Sequence, residues 1–322
     1  MGRENDVLAA LLDAPDGVSG EMLAEQLGIS RNGVWKAVQK LRKAGYAVDG
    51  ATNRGYRLRQ TGDRLTEPLL RAQPGLADWD LLVLDRVDST NTYAKQLALR
   101  GFARRTAILA DAQTGGRGRL GRRFVSPPGS GLYMSLLFRP RGGTADAVRG
   151  TTFAAVAAVR AIARFCETPA QIKWVNDLYM NGKKICGILT EAGTSLETGE
   201  LDYMVIGIGI NVRHTEFPPE LREIAGTIED LSGAVIPRAA LAAAILEELG
   251  DPETGFGRDY MDEYRARSMI LGCPVSVLAG DSPYDAVAVE IDDDAALIVE
   301  ADGVRRRIAA GEVSIRKGRE PC

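Results

Sequence analysis

Residues 110–124, Ala-Asp-Ala-Gln-Thr-Gly-Gly-Arg-Gly-Arg-Leu-Gly-Arg-Arg-Phe, set Arg117, Arg119, Arg122 and Arg123 among Gly115, Gly116, Gly118 and Gly121, with Gln113 just ahead of them. Each guanidinium is a planar fork of donors suited to carboxylate or phosphate oxygens, and the glycines permit left-handed turns and close backbone approach to a ligand. Against Asp111 alone, the four arginines leave the segment at +3. Two kinds of chemistry fit: a clamp on a small anion, or a solvated arginine-glycine loop of the sort that folds on RNA.

Two other places put polar groups beside strand ends, and a third sets glycines within a strand. Asp88-Ser-Thr-Asn91 follows the apolar run at 81–85 and precedes a helical run at 92–99. Ser89 or Thr90 there caps the helix, and such a junction also aims hydroxyls and backbone N–H groups over the sheet edge. It faces the glycine-arginine loop if a strand at 107–111 pairs nearby. Lys173-Trp-Val-Asn-Asp177 leads into a hairpin turning at Asn181-Gly182, with Lys184 two residues beyond, carried inward by a strand or left solvated. Gly207 and Gly209 alternate within an apolar strand at 203–212, leaving room against the sheet for a flat ligand. No helix opens after them, so they are not a dinucleotide fingerprint.

Histidine and cysteine chemistry is nearly excluded. The one histidine, His214, lies in a polar run and reads as a surface loop residue, and Cys166, Cys186, Cys273 and Cys322 are too far apart for a zinc knuckle or redox pair. Reduced, mostly buried thiols and no protein metal cage are expected, and catalysis rests on Arg, Lys, carboxylates and backbone donors.

The elements that position these groups fall into three parts. Residues 1–30 hold one arginine against six acids, whereas 31–59 hold eight Lys or Arg against Asp49 alone. An amphipathic helix carries Val7, Leu8, Leu11 and Leu12; a second ends at Gly28; Ser30 caps a third with Val34, Trp35, Val38 and Leu41 at core spacing. A hairpin with a basic tip at 50–54 follows. This is the winged helix-turn-helix plan, with Ser30, Arg31, Asn32, Lys36 and Lys40 on the DNA-reading helix and Arg54 on the wing. A solvated protein-interaction domain is the competing reading, and a single copy has too few phosphate contacts for useful affinity, so DNA binding implies a dimer. Residues 61–68 read as a polar linker. After the central strands come helices near 237–249 and 260–267, then five short strands between 274 and 316 that suggest a small barrel.

At 322 residues the chain exceeds a single ordinary core, and 45% hydrophobic with 26% charged residues is a globular composition. No apolar run approaches a membrane span and the start lacks a signal-peptide core, so a cytoplasmic protein without a membrane partner is expected. The boundaries read as 1–60 for the DNA-binding domain, 61–80 for the linker and entry into the next, 81–270 for the catalytic domain and 271–322 for the C-terminal domain.

Taken together and in order, Asp88-Ser-Thr-Asn91, Gln113-Thr-Gly-Gly-Arg-Gly-Arg119, Lys173-Trp-Val-Asn-Asp177 with Lys184, and Gly207-Ile-Gly-Ile-Asn211 resemble the biotin protein ligases over nearly the whole chain. With the basic N-terminal domain the likeness is to the bifunctional ligase and biotin operon repressor. The resemblance implies an α/β (α+β) fold: a winged helix-turn-helix, a central mixed-sheet domain of the class II synthetase and biotin-lipoate ligase type, and an SH3-like C-terminal barrel that helps receive the acceptor. It implies that biotin and ATP, with Mg2+, give biotinyl-5'-AMP, whose acyl group passes to a lysine of the biotin carboxyl carrier protein of acetyl-CoA carboxylase. Ser89, Thr90, Asn91, Gln113, Gly116, Arg117 and Lys184 would bind biotin; Arg119, Arg122, Phe124, Asn176, Asn211 and Arg316 would bind ATP. Lys184, Arg117 and Arg119 would carry the catalysis, Arg123 would be solvated, and Asp177 would meet magnesium or the acceptor lysine. Two departures stand out: Phe124 replaces a frequent Trp, and Val175 replaces a common Pro. The unliganded glycine-arginine loop is expected to be disordered, ordering on adenylate together with residues 212–226 to favour a homodimer on operator DNA. A lipoate ligase and a biotin-sensing transcription factor without catalysis are the alternatives.

Overall fold

In the computed structural model the described residues are 3–51, 55–60, 63–74, 76–140, 146–194, 201–278, 283–309 and 313–315, so Arg54 and Arg316 lie outside them. The N-terminal part packs α1 (Arg3–Leu12), α2 (Gly20–Gln26) and α3 (Arg31–Lys43) around Val7, Leu8, Leu11, Leu23, Val34, Val38 and Leu41. Ser19 and Ser30 cap the second and third helices by accepting from Met22 N and Gly33 N, each at 3.0 Å. The wing, β1 (Ala47–Ala51) and β2 (Gly55–Gln60), is antiparallel. Gly55, at φ 71°, ties it to the helices, because a Cβ there would stand 2.3 Å from Val18 O.

Two readings of this region change. Trp35 is not a core residue: Ala37 joins Val34, Val38 and Leu41 in the buried stripe of α3, and Trp35 lies outside that stripe and is 50% exposed. The described part of the supposed polar linker at 61–68 is docked, since Leu65 is buried and α4 (Glu67–Arg71) starts at the linker's end, burying Pro68, Leu69 and Leu70. A polar composition concealed this because its charge is satisfied internally: Asp63 pairs with the 1% exposed Arg238 side chain at 2.9 Å.

The central sheet is built from β3 (Asp80–Val87), β4 (Thr106–Gln113), β5 (Gly131–Phe138), β6 (Gln171–Lys173), β7 (Asp177–Met180), β8 (Lys183–Thr194) and β9 (Leu201–Asn211). Its order is β3-β4-β5-β9-β8-β7-β6, mixed because β3 and β4 pair in parallel and the rest antiparallel. Alternation along each strand gives it two faces. Leu136, Phe138, Met204 and Ile206 join the main core with the alanine-rich α6 (Asp146–Ala163) and α8 (Arg238–Leu249), while Ile108, Leu137 and Val205 form a smaller cluster with Ala94 of α5 (Thr90–Arg100). The short α7 (Ile228–Ser232) and α9 (Met261–Ala266) complete this part.

The five C-terminal strands, β10 (Pro274–Val277), β11 (Tyr284–Ile291), β12 (Leu297–Ala301), β13 (Val304–Ile308) and β14 (Val313–Ile315), form one antiparallel sheet ordered β13-β12-β11-β10-β14. Among the described residues the two edge strands do not pair with each other. Trp174 Nε1 donates to Ala295 O at 2.8 Å, fastening this sheet to the central one. No helix among the described residues is long and apolar enough to cross a membrane.

Candidate functional site

The site lies on the α5 face of the central sheet, where the side chains become small. Across that face Leu137, Val205 and Glu191 align as one row, Ser135, Gly207 and Leu189 as the next, and Tyr133, Gly209, Gly187 and Asp177 as the third. Bulky residues under α5 give way to glycine and serine just beyond its N-terminus, opening a hollow there. The glycine room is taken by the protein's own side chains, however. A Cβ on Gly207 would stand 2.1 Å from Asn91 Oδ1, and one on Gly209 would stand 2.8 Å from the Phe124 ring.

What remains on either side of Phe124 is a pair of cavities. The smaller, about 30 Å³, is lined by Ser89, Thr90, Asn91, Gln113, Arg117, Phe124, Tyr133, Gly187, Leu189, Gly207 and Gly209 among others. A closed polar network holds its wall. Gln113 Oε1 accepts from Thr90 N at 2.8 Å and from Thr90 Oγ1 at 3.1 Å, and Gln113 Nε2 donates to Ser126 Oγ at 3.0 Å. Asn91 Nδ2 donates to Leu189 O at 3.1 Å and to Glu191 Oε2 at 2.9 Å, and Ser135 Oγ stands 2.6 Å from Asn91 Oδ1 and 2.7 Å from Thr90 Oγ1. Ser89 caps α5 toward Thr92 N. Burial pushes the Glu191 carboxyl up, but hydrogen bonds from Lys95 and Asn91 and the charges of Lys95 and Arg117 outweigh it and hold it below the usual range. Burial also raises the Tyr133 phenol to about 12, so it stays a neutral donor to Pro127 O at 3.0 Å.

The larger cavity, about 470 Å³, gathers Arg117, Arg119, Arg122, Arg123, Lys173 and Lys184 against a single carboxylate, Asp177. Phe124, Asn176, Asn211, Phe217, Ile224 and Val313 of β14 also line it. The hairpin at Asn181 (φ 48°) and Gly182 (φ 76°) puts Lys184 opposite Tyr179, and its Nζ lies 2.6 Å from Asp177 Oδ1. Arg119 donates to Asn176 Oδ1 at 3.0 Å; Asn176 Nδ2 in turn donates to Ile188 O at 2.9 Å. Asn211 Nδ2 donates to Gly226 O at 3.2 Å, tying the end of β9 to the strap at 212–226. The preceding Trp174–Val175 peptide is cis.

In this structure the glycine-arginine loop is a folded hairpin. Gly118 N donates to Arg122 O at 2.7 Å and Phe124 N to Gly116 O at 2.9 Å, making a tight hairpin closed over a turn at Leu120. Gly115 N donates to Asp88 O at 2.7 Å, so the loop does abut the junction ahead of α5. Arg123 donates to Thr114 O at 3.3 Å while also lining the larger cavity. Gly116 lines neither cavity and serves the hairpin itself: a Cβ there would stand 2.4 Å from Phe124 O.

Of the other sequence-derived positions, Arg31, Asn32 and Lys36 are exposed on α3. Ser30 spends its hydroxyl on the cap, and Lys40 turns back to Glu4 of α1 at 3.3 Å. His214 is an exposed loop residue, 2.9 Å from Asp230. Sequence reasoning missed Ser135, Glu191, Lys95 and Tyr133. Ser135 did carry a signal, as the one serine in a strand buried at all eight positions.

Three family profiles match: the biotin/lipoate A/B protein ligase family over residues 83–211, an HTH domain over 3–57 and the biotin protein ligase C terminal domain over 270–316. The bifunctional ligase/repressor BirA of Bacillus subtilis strain 168 is 33% identical over 92% of this chain and 94% of its own length. That of Escherichia coli K12 is 31% identical over 96% of both. A structure of the biotin protein ligase from Aquifex aeolicus in complex with biotin and ATP superposes with a TM-score of 0.62 at 28% identity, covering 74% of this chain and 99% of that one. A ligase core, a helix-turn-helix ahead of it and a small sheet behind it, matched end to end, make this chain a member of the biotin/lipoate A/B protein ligase family in its bifunctional ligase/repressor form.

Proposed function

We propose that the protein is an ATP-dependent biotin protein ligase that also represses transcription through its N-terminal domain. The observation that carries this reading is the pair of cavities sharing Phe124 and Arg117, one walled by hydrogen-bonding side chains and the other by six cations facing one carboxylate. A ureido ring needs donors and acceptors at one end, which Ser89, Thr90, Asn91 and Gln113 supply; a dithiolane ring has no use for them, so lipoate fits less well. Because the smaller cavity is so tight, biotin entry requires the hairpin bearing Arg117 and Phe124 to move outward.

Chemistry would occur where the cavities meet. A biotin carboxylate oxygen attacks the α-phosphorus of ATP and its bond to pyrophosphate breaks; the acceptor lysine amine then attacks the acyl carbon and AMP leaves. Arg117, Arg119 and Lys184 offset the negative charge that develops as two anions are brought together. Arg122, Asn176, Asn211 and Phe124 hold the nucleotide, with Arg316 assigned there by family resemblance. Mg2+ arrives with ATP as part of the substrate. Asp177 is the one carboxylate among the described residues lining the larger cavity, and its Oδ1 is held by Lys184, which must let it go for that oxygen to meet a metal or an acceptor amine. The acceptor is a biotin carboxyl carrier protein, the DNA partner an operator, the active repressor a homodimer, and the compartment the cytoplasm.

Incubation with radiolabelled biotin, Mg-ATP and apo carrier protein tests the ligase reading directly. Label on the carrier is expected; no label with biotin, but label with lipoate, overturns the substrate assignment, and no label with either overturns the enzyme.

A further inference from the structure

We infer that Trp35 reads DNA sequence by covering the 5-methyl group of a thymine in the major groove. The inference rests on the repressor reading of the N-terminal domain and deepens it.

The chain has three tryptophans. Trp79 and Trp174 are 1% and 4% exposed, whereas Trp35 is 50% exposed. At 100° per residue, Asn32, Trp35, Lys36, Gln39 and Lys43 share an arc of about 100° on α3, opposite the buried stripe of Val34, Ala37, Val38 and Leu41. The indole therefore sits at the edge of a face otherwise made of amides and ammonium groups, between Arg42 and Gln39 around the helix. A protein partner that buried it would need a contiguous apolar patch, and the flanking residues on this face are polar or cationic. A polyanion is the complementary surface, and the Ser30 cap fixes the N-terminal end of α3 as a helix-turn-helix requires.

In the major groove each base edge offers donors and acceptors, and only thymine adds an apolar group, its C5 methyl. Asn32 and Gln39 flank Trp35 with amides suited to an adjacent adenine edge, while Lys36 and Lys43 suit phosphates. Trp35 is thus the one residue of this face whose chemistry matches thymine.

The test uses the full chain with biotin and Mg-ATP. Preferred duplexes are selected from a random-sequence pool, and each thymine in the winner is replaced by uracil, which removes only the methyl. Wild type is expected to bind roughly fourfold more weakly for each contacted thymine replaced, the value of one buried methyl, and so about fifteenfold more weakly when one is replaced in each half-site. Trp35→Ala is expected to bind thymine and uracil forms equally, and Trp35→Phe to keep part of the discrimination. Trp35→Ala leaves the slope of log affinity against log salt unchanged, whereas Lys36→Ala reduces its magnitude by about one per protomer, about two for the dimer. Because Trp35 is exposed, an unchanged melting temperature verifies that each variant is folded. Discrimination that persists in Trp35→Ala, or a wild type indifferent to every thymine, overturns the inference while leaving the repressor standing. Selection that yields no preferred sequence overturns the repressor reading and the inference with it.

Discussion

Replacing Arg238 with methionine should unfold the protein earlier and loosen the biotin site together. The guanidinium sits at the start of α8 with a side chain 1% exposed, and it pairs with Asp63 and Asp111, each at 2.9 Å. It also donates to Asp63 O at 2.8 Å and to Gly131 O at 3.0 Å. One side chain thereby joins the segment after the wing, the end of β4 and the start of β5, and the last two are the stems between which the glycine-arginine loop is strung. Methionine fills the space but leaves two carboxylates without their partner. Breaking a buried ion pair this way costs about 3–5 kcal/mol. The lower end applies here, because Asp63 keeps the Arg238 backbone N–H at 2.9 Å and Arg213 at 3.4 Å, and Asp111 keeps Gly129 N at 3.3 Å. A loss of about 3 kcal/mol lowers the melting temperature by roughly 6–12 °C for a domain of this size. Denaturant melts of wild type, Arg238→Met, Asp63→Asn and the double variant form a cycle, with biotin KM measured on each. A single-variant loss below about 1 kcal/mol, or additive single effects, refutes the idea that this triad holds the loop stems in place.

Other perturbations test the site piece by piece. Lys184→Ala should keep the fold, the side chain being 29% exposed, yet cut ATP–pyrophosphate exchange by a hundredfold or more, about 3 kcal/mol of barrier; normal exchange removes Lys184 from the mechanism. Gly207→Ala pushes a methyl into Asn91 Oδ1, costing about 1–3 kcal/mol of stability and raising biotin KM, and an unchanged KM would show that Asn91 does not shape the pocket. The Glu191 carboxyl is held below its ordinary 4.5, so its pairing stabilises the fold above the unfolded-state pKa and that contribution fades as pH falls through the lower folded value. Glu191→Gln should accordingly be less stable than wild type at pH 7 and converge with it in acid, and a gap that stays constant with pH contradicts that linkage.

The motifs were legible because each is local: a capped junction, an Asn-Gly turn and a glycine-rich loop announce themselves within a few residues. What escaped depends on register between segments far apart in the chain. Ser135 and Glu191 become site residues only because β5 pairs with β9 and β9 with β8, bringing Ser135 opposite Gly207 and Glu191 opposite Val205. Lys95 matters only because α5 lies across that face of the sheet and reaches Glu191 at 2.5 Å. The same limit explains the glycine strand. Gly207 and Gly209 read as leaving room for a flat ligand, whereas the side chains that approach them are the protein's own Asn91 and Phe124, a distinction that no local pattern carries.

Trp35 shows the converse error. A large apolar residue beside Val34 was assigned to the core by type, although the 3.6-residue period already sets it away from the stripe that Val34, Val38 and Leu41 define. Burial follows the helix period and not hydrophobicity alone, and an apolar side chain that violates the period is either a defect or a contact waiting for a partner. On a helix whose neighbouring residues are basic, that partner carries negative charge. The misplaced tryptophan is therefore the residue of this domain with the most to say about what it binds.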